Sequence, residues 1–342
     1  MINDILLNNK YLIAGPCAAE SEEQVLTTAK ILSDCGIRCF RAGVWKPRTK
    51  PGGFEGVGEQ GLLWLQKVKR QTGMRVATEV ATPEHVQLAI YYGIDCLWLG
   101  ARTVSNPFSV QEIANSLRGT DINIMVKNPI SPDLELWLGA VERLQNAGLQ
   151  KITAIHRGFA TTDNSNYRNA PYWNIAIELK RRLPQMPLLC DPSHIAGVAA
   201  RVPTVAQQAL DLNFDGLFVE VHCCPKDALS DSFQQLTPTE FTKMLNNLIL
   251  RKKDSSADFL LQMRQQIDEI DENLFALLAE RMEIAKKIGV FKKENKISVL
   301  QSDRFSQIQQ KFISQAEKLG LSKNFIKNIL ENIHEEALEK QI

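Results

Sequence analysis

The sequence predicts an α/β fold: a (β/α)8 TIM barrel over residues 1–250, a linker over 251–257, and a smaller all-α unit of three helices over 258–342. Two observations predict this division. Every proline, tryptophan and cysteine lies before Arg251, and beyond it only Gly289 and Gly320 interrupt helix-forming residues. Glycine and proline punctuate turns, so a stretch almost without them is a few long helices. The second observation is a series of short apolar or β-branched runs through residues 11–220, each followed by a helix-like stretch.

These runs read as strands at Tyr11–Ala14, Cys39–Ala42, Arg75–Thr78, Cys96–Leu99, Asn123–Val126, Ile152–His156, Leu188–Asp191 and Leu217–Glu220. Amphipathic segments such as Glu22–Cys35, Pro83–Tyr92, Pro132–Ala147 and Val202–Leu212 lie between them. Strands with little alternation, separated by helices, imply a parallel sheet covered on its outer face. Eight such units fit a barrel. The competing doubly wound sheet lacks its glycine-rich dinucleotide fingerprint after the first strand.

Composition excludes several classes. With a formal net charge of +1 and 23% charged residues, the chain gives no reason to expect nucleic acid or a membrane surface as partner. The first ten residues lack a basic region followed by an apolar core, and no apolar run is long enough to span a bilayer. The seven cysteines are an odd number without framework spacing, which reads as reduced thiols in a cytoplasmic protein.

In a barrel the chemistry sits at the C-terminal ends of the strands. Those ends are where this sequence becomes polar. Arg41, Lys46, Arg48, Arg102, Lys127 and Arg157 converge there, and a near-neutral chain that gathers so many cations implies a small, multiply anionic ligand. For any one arginine, a structural ion pair with Glu20, Glu79 or Asp191 is an equal reading; for the whole set it is not. Cys17, His194, Glu220 and Asp231 fall at the ends of strands 1, 7 and 8, which become neighbours on closure. A thiolate, an imidazole and two carboxylates suit Mn²⁺, Fe²⁺, Co²⁺ or Zn²⁺. His222 is a rival ligand that spacing leaves open. No organic cofactor is called for.

Gly15-Pro-Cys17, the Lys-Pro-Arg-Thr run 46–49, Gly-Ala-Arg102, Asp-Pro-Ser-His194 and Leu-Ser-Asp231 with Gln234-Gln235-Leu236 resemble 3-deoxy-D-arabino-heptulosonate 7-phosphate synthase, in the short microbial form without an N-terminal regulatory domain. That family condenses phosphoenolpyruvate with erythrose 4-phosphate. The resemblance implies Cys17, His194, Glu220 and Asp231 as metal ligands. It implies Arg102, Lys127 and Arg157 for phosphoenolpyruvate, with Arg41, Lys46 and Glu79 beside them, and Arg48 and Thr49 for the sugar phosphate. Lys46 is the candidate proton donor. The related 3-deoxy-D-manno-octulosonate 8-phosphate synthase has Asn-Arg-Ser where this chain reads Pro47-Arg48-Thr49, which favours the four-carbon acceptor.

From Asp258 to about Glu294 the apolar residues Leu260, Met263, Ile267, Ile270, Leu274, Leu277, Ile284, Ile288 and Phe291 form one helical stripe. A helix of that length spans about 55 Å and needs partners, which helices near Ser302–Leu319 and Ser322–Gln341 can supply. Arg281 interrupts the stripe, and Lys292 lies three turns on at nearly the same angle. Arg264 is about 25 Å from Arg281 along the axis, so one small ligand reaches both only if Arg264 comes from a second, antiparallel copy. The bland reading is that these cations snorkel or pair with acids, as Arg264 can with Asp268.

Leu278-Ala-Glu-Arg281, Lys292, Asp303-Arg304 and Gln341 resemble the all-helical chorismate mutase family, whose dimers exchange the long helix. The resemblance implies Arg264 (from the partner), Arg281, Lys292, Arg304 and Gln341 as the site, with Lys292 and Gln341 serving the ether oxygen. Gln301 stands where an acid is frequent, Phe305 where a glutamate commonly reaches the substrate hydroxyl, and Ala337 where a serine is frequent. The resulting expectation is a homodimeric, bifunctional enzyme in which chorismate or prephenate, held by the helical part, controls the condensation. The alternative makes that part mainly a dimerisation and sensing module.

Overall fold

The computed structural model describes residues 10–47, 52–161, 167–251, 258–299 and 302–341. The chain divides into two compact units, Met1–Lys252 and Lys253–Ile342. In the first, eight parallel strands close into a barrel in sequence order. They are β1 (Tyr11–Gly15), β2 (Cys39–Arg41), β3 (Arg75–Val80), β4 (Cys96–Leu99), β5 (Asn123–Lys127), β6 (Ile152–His156), β7 (Leu188–Cys190) and β8 (Gly216–Glu220). Each strand read from the sequence is present, shifted by at most two residues at an end.

The local sequence explains the helices between them. Ser21 caps Glu22–Asp34 by accepting from the Gln24 amide, and Thr82 and Asp133 do the same for Pro83–Tyr91 and Leu134–Asn146. Thr237 and Glu240 form a reciprocal capping box on Pro238–Asn247. The apolar faces of these helices pack on the outer surface of the sheet, in a core that includes Leu32, Leu65, Val86, Trp137 and Phe241. A second cluster fills the barrel itself: Ile13, Cys39, Ala77, Cys96, Trp98, Met125, Ile155, Leu189 and Phe218. This plug makes the barrel a packed core, so ligands are confined to its ends.

β1 meets β8 with Ile13 opposite Phe218 and Gly15 opposite Glu220. Gly15 has φ +151°, and a Cβ there would lie 2.1 Å from the Arg41 carbonyl oxygen. Only glycine permits β1 and β2 to run this close where both turn into the mouth.

The second unit is three helices, Asp258–Glu294, Ser302–Ala316 and Lys323–Glu339, as the stripe predicts. The later helices cover less of the long one than expected. Contact is tight near Gly289, where a Cβ would lie 2.6 Å from the Gln341 Cα, and Ala285 and Lys292 are buried. Ile267, Ile270, Leu274 and Leu277 are exposed in the single chain, and so are Ile284, Ile288 and Phe291 nearer the short helices. Two shorter helices cannot reach the first half of a helix twice their length. No described helix is long and apolar enough to cross a membrane.

Candidate active sites

The barrel mouth gathers the polar residues of all eight strand ends. Cys17, in the turn after β1, Glu220 at the end of β8 and Asp231 beyond it place their donor atoms within 4.8 Å of one another. The Cys17 thiol bonds Asp231 Oδ2 at 3.4 Å, and its amide donates to Gln235 Oε1. Glu220 Oε2 accepts from Gln234 Nε2 at 2.6 Å. Asp231 sits at φ +51°, a left-handed conformation that aspartate tolerates better than most residues. His194 completes the group: Nδ1 lies 3.8 Å from Glu220 Oε1 and Nε2 3.8 Å from Asp231 Oδ2.

His194 is oriented by Asp191. That carboxylate caps the short helix Pro192–Ala196 by accepting the His194 amide at 3.1 Å, and its other oxygen lies 2.8 Å from His194 Nδ1. The Asp-Pro-Ser-His spacing thus folds the imidazole back over its own cap. His222 is turned away. Its Nδ1 accepts the Cys224 amide at 2.9 Å and its Nε2 faces Glu20 at 3.7 Å, so the rival ligand stands outside the cluster.

Crowding perturbs these groups. Burial, then the Glu220 charge, pushes the Cys17 thiol up to about 12. Burial would raise Asp231, yet His194, Arg168 and Lys46 hold its carboxyl well below the usual range. Burial lowers His194 from its ordinary value, against the opposing charges of Asp191 and Glu220. Converging thiol, imidazole and carboxylates, with the thiol proton held by burial and neighbouring anions, fit a divalent transition ion whose charge would release that proton.

The cations surround this cluster. Arg41, 1% exposed, donates to Glu220 Oε1 at 3.2 Å and rests its guanidinium over Phe218 and Trp98, 4.4 and 5.0 Å from the ring centroids. Its Nε and Nη1 are buried with no partner among the described residues. Lys127 Nζ donates to Asp191 Oδ2 at 2.8 Å. Arg157 donates to Asn169 Oδ1 at 2.6 Å, and burial pulls its pKa down to about 10. Lys46 folds back over Gly43, where a Cβ would lie 2.8 Å from Nζ. Burial alone would lower this ammonium, but the negative charge of Cys17 as thiolate and of Glu79 raises it above its ordinary value. Arg102 follows β4 at the same rim. Arg48 and Thr49 lie outside the described residues.

Sequence reasoning missed several supporting residues. Arg168 pairs with Asp231 Oδ1 at 3.0 Å, Gln234 holds Glu220, and Asn128 receives the Arg157 amide at 2.7 Å. Gln234 was visible in the Gln-Gln-Leu motif; Arg168, in a long irregular loop, carried no local signal.

In the helical unit, Arg281, Lys292, Arg304 and Gln341 line one cavity of about 280 Å³ with Phe305, His334 and Ala337. Lys292 Nζ bonds Gln341 Oε1 at 3.0 Å and the Val299 carbonyl at 2.8 Å. Arg264 is exposed nearly five helix turns before Arg281, about 25 Å along the axis, and Gln301 lies outside the described residues.

Residues 7–255 match the DAHP synthetase I family. The chain belongs to that family. Residues 263–342 match chorismate mutase type II. The phospho-2-dehydro-3-deoxyheptonate aldolase of Thermotoga maritima is 31% identical over 249 residues, covering 72% of each chain. Its crystal structure superposes with a TM-score of 0.62 over 70% of this chain and 68% of that one. A 2-dehydro-3-deoxyphosphooctonate aldolase of Acidithiobacillus ferrooxidans is 29% identical over 65% of this chain and 82% of its own. The chain is therefore a bifunctional enzyme of aromatic biosynthesis, a DAHP synthase domain followed by a chorismate mutase domain.

Glu79 tests the barrel site with one methyl group. Its Oε2 accepts from Trp98 Nε1 at 3.1 Å, and a Cβ on Gly100 would lie 2.1 Å from Oε1. Gly100→Ala should displace the carboxylate and lower kcat/KM of the condensation by about tenfold or more, with unchanged circular dichroism. A fully active, well-folded variant would remove Glu79 from the site.

Proposed function

We propose that the barrel condenses phosphoenolpyruvate with erythrose 4-phosphate in a metal-dependent reaction, and that the helical unit rearranges chorismate to prephenate as a homodimer. The observation that carries the first half is the convergence of Cys17, Glu220 and Asp231 beside His194 within a ring of cations. Cys17, His194, Glu220 and Asp231 would hold the ion, which supplies Lewis acidity toward the aldehyde oxygen.

The protein's own residues do the rest. Arg102, Lys127 and Arg157 match the phosphate and carboxylate of phosphoenolpyruvate, and the unpartnered Nε and Nη1 of Arg41 offer further donors. Arg48 and Thr49 would grip the sugar phosphate, which sets its aldehyde carbon against C3 of phosphoenolpyruvate. As that bond forms, Lys46, an ammonium over the thiol cluster, gives its proton to the aldehyde oxygen. Water adds at C2 and inorganic phosphate leaves. The Lys-Pro-Arg-Thr run favours the four-carbon acceptor over the pentose phosphate acceptor of the octulosonate branch.

In the helical cavity no nucleophile or base is required. Arg281 and Arg304 hold carboxylates, while Lys292 and Gln341, already bonded to each other, donate to the ether oxygen as charge builds there. The exposed stripe Ile267–Leu277 supports pairing with a second copy, whose Arg264 would then complete the pocket. Prephenate or chorismate bound there would regulate the condensation, in a chain read as cytoplasmic.

Lys46→Met should collapse condensation while metal content, measured by atomic absorption, stays intact; full turnover would end the proton-donor role. Arg281→Ala should abolish the mutase rate and leave condensation untouched, and an unchanged mutase rate would sink the pocket assignment. Prephenate should slow condensation in the wild-type chain and lose that effect in Arg281→Ala. Condensation indifferent to prephenate would refute the regulatory link.

A further inference from the structure

Chorismate presents two carboxylates, a bridging ether oxygen and a ring hydroxyl. In the helical pocket the arginines suit the carboxylates, and Lys292 with Gln341 suits the ether. The hydroxyl is left without a partner. Phe305 and Ala337 line the same wall and carry no polar group.

We infer that His334 holds the ring hydroxyl of chorismate and so positions the substrate for rearrangement. The inference rests on the assignment of this pocket to the mutase reaction. His334 lines the cavity shared with Lys292 and Gln341 and also the adjoining cavity of about 580 Å³ that opens beside Arg281 and Arg304. Gln307 and Lys311 line only the second, away from Lys292 and Gln341. The imidazole stacks on the Phe305 ring with centroids 4.0 Å apart and planes 14° from parallel. It makes no hydrogen bond among the described residues, so both ring nitrogens are available to a ligand.

The surroundings favour the neutral form of the ring. Burial, then the Arg281 charge, lowers its pKa from the ordinary histidine value. A neutral imidazole offers one donor and one acceptor, the complement of a hydroxyl, without repelling the arginines that bind the carboxylates. The stack on Phe305 fixes the plane of the ring, so a residue that cannot bond the substrate still serves to aim the one that can.

The test compares chorismate with its analogue bearing hydrogen in place of the ring hydroxyl, using the full chain. His334→Leu should lower kcat/KM for chorismate by about tenfold or more, the loss expected for an unpaired hydroxyl in a buried site. The analogue, which has nothing for His334 to hold, should react with wild type and variant at rates within about twofold. His334→Phe, which keeps the stack on Phe305, should show the same split. Equal losses on both substrates would mean a packing role, and no loss on either would mean no role; both overturn the inference. Unchanged condensation in the same preparations reports an intact chain. Arg281→Ala separates the failures. If it too leaves the mutase rate unchanged, the pocket assignment is wrong; if it abolishes the rate while His334→Leu shows no split, only the histidine's role is.

Discussion

The whole catalytic arrangement of the barrel depends on the register in which β8 closes against β1. Glu220 pairs opposite Gly15, so Cys17 in the turn after β1 and Asp231 in the loop that follows β8 are delivered to one point. A slip of one residue would turn Glu220 outward into the helix layer and leave the thiol alone, because side chains on a strand alternate faces. Gly15 enforces the fit, since a side chain there would collide with the Arg41 carbonyl of β2.

Beneath that point the barrel interior works as a support. Trp98 and Phe218 cap the apolar plug and carry the Arg41 guanidinium on their faces, and Phe218 also lies 5.2 Å beneath the Lys127 ammonium. Arg41 and Lys127 are each ion-paired, with Glu220 and Asp191, so part of the cationic ring is balanced internally. The structural-bridge reading therefore holds for Lys127 with Asp191, and Arg41 bridges Glu220 in the same way while its Nε and Nη1 stay without a partner among the described residues. Buried pairs add little net stability, but they fix the direction of charges that would otherwise relax around an incoming anion.

The helical unit obeys a different constraint. A helix of 37 residues buries its stripe only against something of equal length, and the chain supplies two shorter helices at one end. Near Gly289 the long helix holds Ala285 and Lys292 buried, with Lys292 bonded to Gln341, while stripe residues along its whole length, from Ile267 to Phe291, stay exposed in the single chain. The second copy proposed above would cover that exposed face and bring a second Arg264 to the pocket in one step.

The sequence by itself determined the seam near Arg251, the order of strands and helices, and the residues at each strand end, because these follow from turn-formers and apolar periodicity over short windows. It also narrowed the candidate metal ligands to four residues plus one rival. Only the tertiary structure turned His222 toward Glu20, bound His194 to Asp191, and brought Arg168 and Gln234 against the carboxylates. Those outcomes rest on contacts between residues far apart in the chain, where no local pattern operates. The same holds for Phe305 and His334, two turns of unrelated helices that become one stacked pair only when the helices pack.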